Sequence, residues 1–149
     1  MIRQANKFDF PQIIEMLHEY KKKSPIQCLQ NSNDEEYILN LLNNIVVLNS
    51  GFILVAEKDK KIIGMIIAGI VPNVWNPLVK QCSEIAYWVN EDCRGGTAAY
   101  RLIKAYIDEC EKLKRQGSIQ FFTISKMVNS PDLKYLKFGF EKLEETWVK

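Results

Sequence analysis

One stretch, Glu84 to Ile107, limits what the chain can fold into more than any other. Residues 84 to 89 read Glu-Ile-Ala-Tyr-Trp-Val, rich in β-branched and aromatic side chains, and predict a strand. Asn90 to Asp92 is turn chemistry, and apolar side chains then recur at 99, 102, 103, 106, 110 and 113 with helical spacing. Arg94, Gly95 and Gly96 stand between strand and helix. Two successive glycines let the backbone turn sharply and aim neighbouring N–H groups at one point, where the positive end of the helix dipole also lies. Such a turn is a seat for phosphate, although Gly-Gly before a helix also serves as a plain tight connection.

The spacing sharpens the first reading. Arg94-Gly95-Gly96-Thr97-Ala98-Ala99, with Leu102 beyond it, resembles the Arg/Gln-x-x-Gly-x-Gly/Ala signature of the GNAT superfamily of acyl-CoA-dependent N-acyltransferases. Thr97 departs from that pattern, standing where the family usually has its second glycine; its hydroxyl could add a phosphate contact while its Cβ narrows the turn. Asn129 followed by Tyr135-Leu-Lys-Phe-Gly139-Phe140 is similar to the family's Asn…Tyr-x-x-x-Gly-Phe segment. The likeness covers residues 52 to 145, and small phage and prophage members are the most similar in character. It implies an α/β fold: a mixed central sheet with helices on both faces and splayed parallel strands at 84–90 and 119–125. It also implies acetyl-CoA as cosubstrate, with Tyr87, Trp88 and Val89 bordering the pantetheine arm. Arg94, Gly95, Gly96, Thr97, Ala98 and Ala99 would hold the pyrophosphate, and Asn129 would reach the arm from the opposite side. For Val89 in particular, plain core packing is the competing reading.

At 149 residues the chain suits one domain, 1–149, with a continuous core. Twenty basic against eighteen acidic residues leave a net charge of +2, too little to imply nucleic acid by bulk electrostatics. The four cysteines show no paired spacing and the lone His18 cannot complete a zinc site, so no metal is expected and the thiols read as free in a reducing cytoplasm. No apolar run reaches the roughly 20 residues of a membrane span.

In chain order, Met1–Ala5 is a first strand and Asp9–Lys22 a helix with Phe10, Ile13, Ile14 and Leu17 on one face. Ser24–Asn33 is a loop, and Ser32 with Glu35 has capping-box spacing before a helix bearing Tyr37, Ile38, Leu41, Leu42, Ile45 and Val46. Gly51–Glu57 and Ile62–Val71 predict a central hairpin across Lys58–Lys61. Trp75, between two prolines, is either a substrate-wall residue or a loop anchor. Ile119–Ile124 reads as a buried strand parallel to 84–90, because a strand, helix, strand sequence demands a right-handed crossover. Ser130-Pro131 starts a short helix closed by Gly139, and Phe140–Lys149 is a last strand.

Transfer to an amine needs the neutral base, and deprotonating a lysine-like group of pKa about 10.4 at pH 7 costs roughly 4.6 kcal/mol. Glu84 is the candidate base, since alternation puts it on the face of Ala86 and Trp88; a structural pairing with a lysine is the competing role. Tyr135 is the candidate acid, stabilising charge on the departing sulfur. No cysteine is flanked by a base, which favours direct attack by the amine. The sequence therefore predicts an N-acetyltransferase acting on a small-molecule or protein amine. The alternatives are a non-catalytic acyl-CoA-binding or partner-binding module and an enzyme acting on charged tRNA, which the weak basic balance disfavours. A sheet that ends at residue 149 also predicts a homodimer in which Trp147 and Val148 cover the last edge.

Overall fold

The computed structural model describes residues 1–149. A five-stranded sheet runs in the order β1 (Ile2–Gln4), β2 (Gly51–Lys58), β3 (Lys61–Pro72), β4 (Lys80–Val89) and β5 (Phe121–Thr123). The first four strands pair antiparallel, and β5 joins β4 in parallel after a helical crossover. Asp59 and Lys60, both at positive φ, turn the chain tightly between β2 and β3.

The central strands are apolar on both faces because helices cover both. On one side Ile53, Val55, Met65 and Ile67 meet α1 (Phe10–Lys22) and α3 (Glu35–Val46) through Phe10, Ile13, Met16, Leu42 and Ile45. On the other, Phe52, Leu54, Ile66 and Ala68 meet α4 (Ala98–Arg115) through Leu102, Tyr106 and Cys110. Gly64 lets α4 lie close: a Cβ there would come within 3.1 Å of both Leu102 and Val89. No helix is long and apolar enough to cross a membrane.

The start of α1 is fixed by a network without a local sequence signal. Asp9, buried beside the Asn6 turn, accepts two hydrogen bonds from the Arg3 guanidinium at 2.8 and 2.9 Å, while Arg3 Nε reaches Glu57 at 2.6 Å. The Arg3 hydrogen bonds hold the Asp9 carboxyl below its ordinary range despite its burial.

Several expected elements differ. Ser32 does not cap α3: its hydroxyl donates to the Cys28 carbonyl, and Asp34 takes the cap by accepting from the Tyr37 amide at 3.0 Å. A short helix α2 (Gln27–Gln30) occupies part of the predicted loop. The predicted strand 119–124 is shorter: Ile119 is buried in the α4-side core, and only Phe121–Thr123 joins the sheet. Ser130 and Pro131 do not open a helix; a single 3₁₀ turn, Tyr135–Phe138, follows Lys134 in left-handed backbone.

Residues 140–149 form no strand, contrary to expectation, and Leu143, Trp147 and Val148 are exposed. A strand there would gain few ladder bonds from a three-residue neighbour, against an ordering entropy of about 1–2 kcal/mol per residue. Its alternation also places polar side chains on both faces, so neither face has a core to enter.

Candidate functional site

The site lies where β4 and β5 part. Their pairing runs through Gln81–Phe121, Cys82–Phe122 and Ser83–Thr123 and then stops, whereas β4 continues to Val89. Two hydrogen bonds fix the point of parting: Tyr106 of α4 donates to the Thr123 carbonyl at 2.6 Å, and the Thr123 and Ser83 hydroxyls lie 3.2 Å apart. From Glu84 onward the β5-facing edge of β4 carries no strand.

At that point β4 also changes register on its other side. Ala86 stands opposite Ile67 and Glu84 opposite Ala68, leaving Ile85 as an extra residue. Opposed residues share a face, and Ile67 and Ala68 belong to different cores. The bulge therefore breaks the alternation expected to set Glu84 on the face of Ala86 and Trp88. Glu84 is turned into the opening instead, where its Oε2 accepts from the Ser125 amide at 3.3 Å. Burial pushes its carboxyl up to about 7, and the Ser125 hydrogen bond only partly opposes this.

The charge of that carboxylate bears on tyrosines from three different elements. Tyr87 on β4 donates to the Ala99 carbonyl at 2.8 Å, and its phenol is pushed up by burial, then by Tyr135 and Glu84. Tyr135, on the 3₁₀ turn and edge-on to Phe140, is pushed up to about 12 by burial and by the Glu84, Tyr20 and Asp132 charges. Tyr20, in the last turn of α1, is raised by burial and then by Glu84. Glu84 and Tyr135, the two expected catalytic candidates, thus lie within reach of each other's charge, as do Glu84 and Tyr87. Tyr20 was missed because the α1 face was ended at Leu17; its place three residues further along the same stripe was the available signal.

The expected anion turn follows β4. Gly95 adopts φ +92°, Gly96 does not need positive φ, and Thr97 precedes α4 without a side-chain cap bond. The amides of residues 95 to 100 donate to no acceptor in the chain; the first intrahelical bond is Arg101 N–H to the Thr97 carbonyl at 2.9 Å. A helix N-terminus ordinarily leaves about four such groups, and here the run begins upstream of the helix. Gly95, Gly96, Thr97, Ala98 and Ala99 therefore present a continuous line of donors at the positive end of α4.

Other expected ligand-binding residues have occupations of their own. Arg94 folds back on the strand, its Nε donating to the Val89 carbonyl at 2.9 Å and its guanidinium carbon 4.5 Å from the Trp88 ring centre. Trp88 and Val89 are buried in opposite cores, so at the open edge they offer backbone only. Asn129 donates to the Lys23 carbonyl at 2.7 Å, tying its loop to the end of α1. Trp75 is exposed in the β3–β4 loop.

A parted strand pair, a half-buried carboxylate in the gap and an open line of amides at a helix start meet at this place in the fold. The chain belongs to the acetyltransferase (GNAT) family, whose model matches residues 11–140. No curated protein matches it. Among solved structures it is similar to a predicted acetyltransferase with acetyl-CoA from Clostridium acetobutylicum (TM-score 0.72, 15% identity, covering 100% of this chain and 94% of that one). It is also similar to ribosomal-protein-alanine N-acetyltransferase from Brucella melitensis biovar Abortus 2308 (0.69, 18%, 100% and 96%). A third is an aminoglycoside acetyltransferase from an uncultured soil metagenomic sample, in complex with sisomicin (0.68, 15%, 100% and 95%). At these identities the likeness is one of fold.

Proposed function

We propose that the protein transfers an acetyl group from acetyl-CoA to a primary amine by direct attack. The observation that carries this reading is the line of unpartnered amides at residues 95–100, set beside the parting of β4 and β5 with Glu84 in the gap. Those amides fit a pyrophosphate by charge and donor direction, and the open edge of β4 suits the amide-bearing arm that would lie along it. Bound there, acetyl-CoA supplies the activated acyl group.

The chain's own groups then have distinct tasks. Glu84, with a carboxyl near 7, is ionised in a useful fraction at neutral pH yet basic enough to take the ammonium proton. Tyr135 keeps its proton throughout and donates a hydrogen bond to sulfur as charge builds there; full transfer from a phenol near 12 to a thiolate of about 8.5 would be uphill. Tyr87 holds the start of α4 against β4 through Ala99, fixing the turn relative to the open edge.

The test is acetyl transfer to a panel comprising an alanine-terminated peptide, spermidine and sisomicin, alongside calorimetry with acetyl-CoA. Saturable transfer that Glu84→Gln abolishes supports the reading. Acetyl-CoA binding without transfer to any amine would favour a non-catalytic module.

A further inference from the structure

Two bridges cross the gap between β4 and the chain that follows β5. Near the closed end of the gap, the Glu84 carboxylate accepts from the Ser125 amide at 3.3 Å. At the open end both banks meet one residue, Lys23, at the end of α1. Its side chain pairs with Glu91, Nζ to Oε1 at 2.9 Å, in the short turn Glu91–Cys93 that leads from β4 into the line of amides. Its backbone carbonyl accepts from the Asn129 side-chain amide at 2.7 Å, in the loop beyond β5.

The place of Lys23 in its helix makes both contacts possible. It caps the C-terminus of α1, its own amide closing the last turn on the Tyr20 carbonyl at 3.1 Å. The last carbonyls of a helix lack partners within it, so the Lys23 carbonyl is free to take the Asn129 amide. Phe10, Ile13 and Met16 anchor α1 to the sheet, and the two contacts therefore hang from a fixed element. Both ends of the ion pair are exposed, so it adds little to global stability. Its effect is local: Glu91 belongs to one bank and Asn129 to the other.

We propose that Lys23 is a positioning residue that ties the two banks of the gap at its open end and so sets the spacing in which an acyl-CoA arm is held. This rests on the acetyltransferase reading and deepens it. With the tie made, the turn after β4 and the loop after β5 keep one separation before any ligand arrives, and less ordering cost falls on binding. With the ion pair broken, the far bank is joined to β4 only by a three-residue ladder and the Ser125 bond, and its loop is free to drift. Asn129, which the family resemblance assigns to the arm, serves the tie instead.

Lys23→Met removes the charge and keeps the carbonyl that holds Asn129. A double-mutant cycle with Glu91→Gln, read by calorimetry with acetyl-CoA, separates the tie from the general field of the two charges. Lys23→Met should weaken binding by about two- to fivefold in the parent and much less in the Glu91→Gln background, and exchanging the charges, Lys23→Glu with Glu91→Lys, should recover the parent affinity. In the free protein, Lys23→Met should also speed exchange of the Ser125 and Ser130 amides, hydrogen-bonded in the parent, with the melting temperature unchanged. The proposal is overturned if Lys23→Met weakens binding by the same factor in both backgrounds, as a distant charge would, if the exchanged pair recovers nothing, or if the two amides exchange as in the parent. Failure of acetyl-CoA to bind the parent would sink the acetyltransferase reading instead, and the amide exchange would still decide whether the tie exists.

Discussion

Residues 1–89 and residues 117–149 are built differently. In the first region four strands pair along their length, helices cover one face, and the Arg3–Asp9–Glu57 network ties strand to helix. In the second, a three-residue strand and one 3₁₀ turn are attached by a short ladder to β4, by Tyr106 and by aromatic contacts such as Tyr100 with Phe138, 5.5 Å between centroids. The candidate chemistry lies on the seam: Glu84 belongs to the rigid region, and it faces Ser125 and Tyr135 of the looser one. A rigid strand can hold a desolvated carboxylate in place, while a lightly paired partner leaves the gap that a substrate arm needs.

On the proposed function, this contrast separates the residue expected to carry the chemistry from those that hold the fold. Glu84→Gln should lower turnover by about 10²- to 10⁴-fold while leaving folding intact. The parent's rate should rise with pH through about 7 and level off, because the base must lose its proton. The stability effect has the opposite direction. A carboxyl raised in the folded state binds more protons than in the unfolded chain between its ordinary value and about 7, so the parent loses stability as pH rises through that window. Glu84→Gln should remove that slope; denaturation at pH 5 and pH 8 checks it, and an unchanged slope would place Glu84 in solvent.

Asp9→Ala should act in the reverse sense, lowering stability by about 2–3 kcal/mol in urea unfolding with little change in transfer rate, since it unpairs Arg3 far from the gap. A loss of activity without a loss of stability would join the two regions more closely than the structure does. Tyr106→Phe removes the hydroxyl that pins Thr123 and should cost about 1 kcal/mol, with faster amide exchange confined to β5 and the residues after it. Deleting residues 141–149 should change unfolding by no more than about 0.5 kcal/mol, because their side chains are exposed and join no sheet. A larger loss would mean that the expected last strand forms after all.

The same division governs what the sequence reveals. The β2–β3 hairpin, α4 and the glycine turn are written in local periodicity and turn chemistry, and those elements form where they are expected. The Ile85 bulge is not, because Glu-Ile-Ala-Tyr-Trp-Val reads as unbroken alternation and the extra residue exists only relative to β3. The Arg3–Glu57 bond joins residues too far apart in the chain for any spacing rule. Tyr20 was hidden in a stripe that looked finished, and β5 was overextended because apolar β-prone residues continue on both sides of it: Ile119 enters the core without pairing, and Ile124 lies beyond the pairing. Of the candidate site, the glycine turn before α4 was legible in the sequence, whereas the side chains of Trp88, Arg94 and Asn129 are occupied elsewhere in the fold.

The amides of residues 95–100, unpartnered in the chain, are the proposed seat of the acyl-CoA pyrophosphate. Gly96 offers the direct test, since a Cβ there would meet nothing nearer than the Cys93 carbonyl at 3.7 Å, an ordinary contact, and the free protein should tolerate a larger side chain. Calorimetric titration of acetyl-CoA into the parent and Gly96→Val, with melting temperatures shown to agree, should give an affinity reduced by about tenfold or more in the variant. Equal affinity would place the cosubstrate elsewhere and contradict the account.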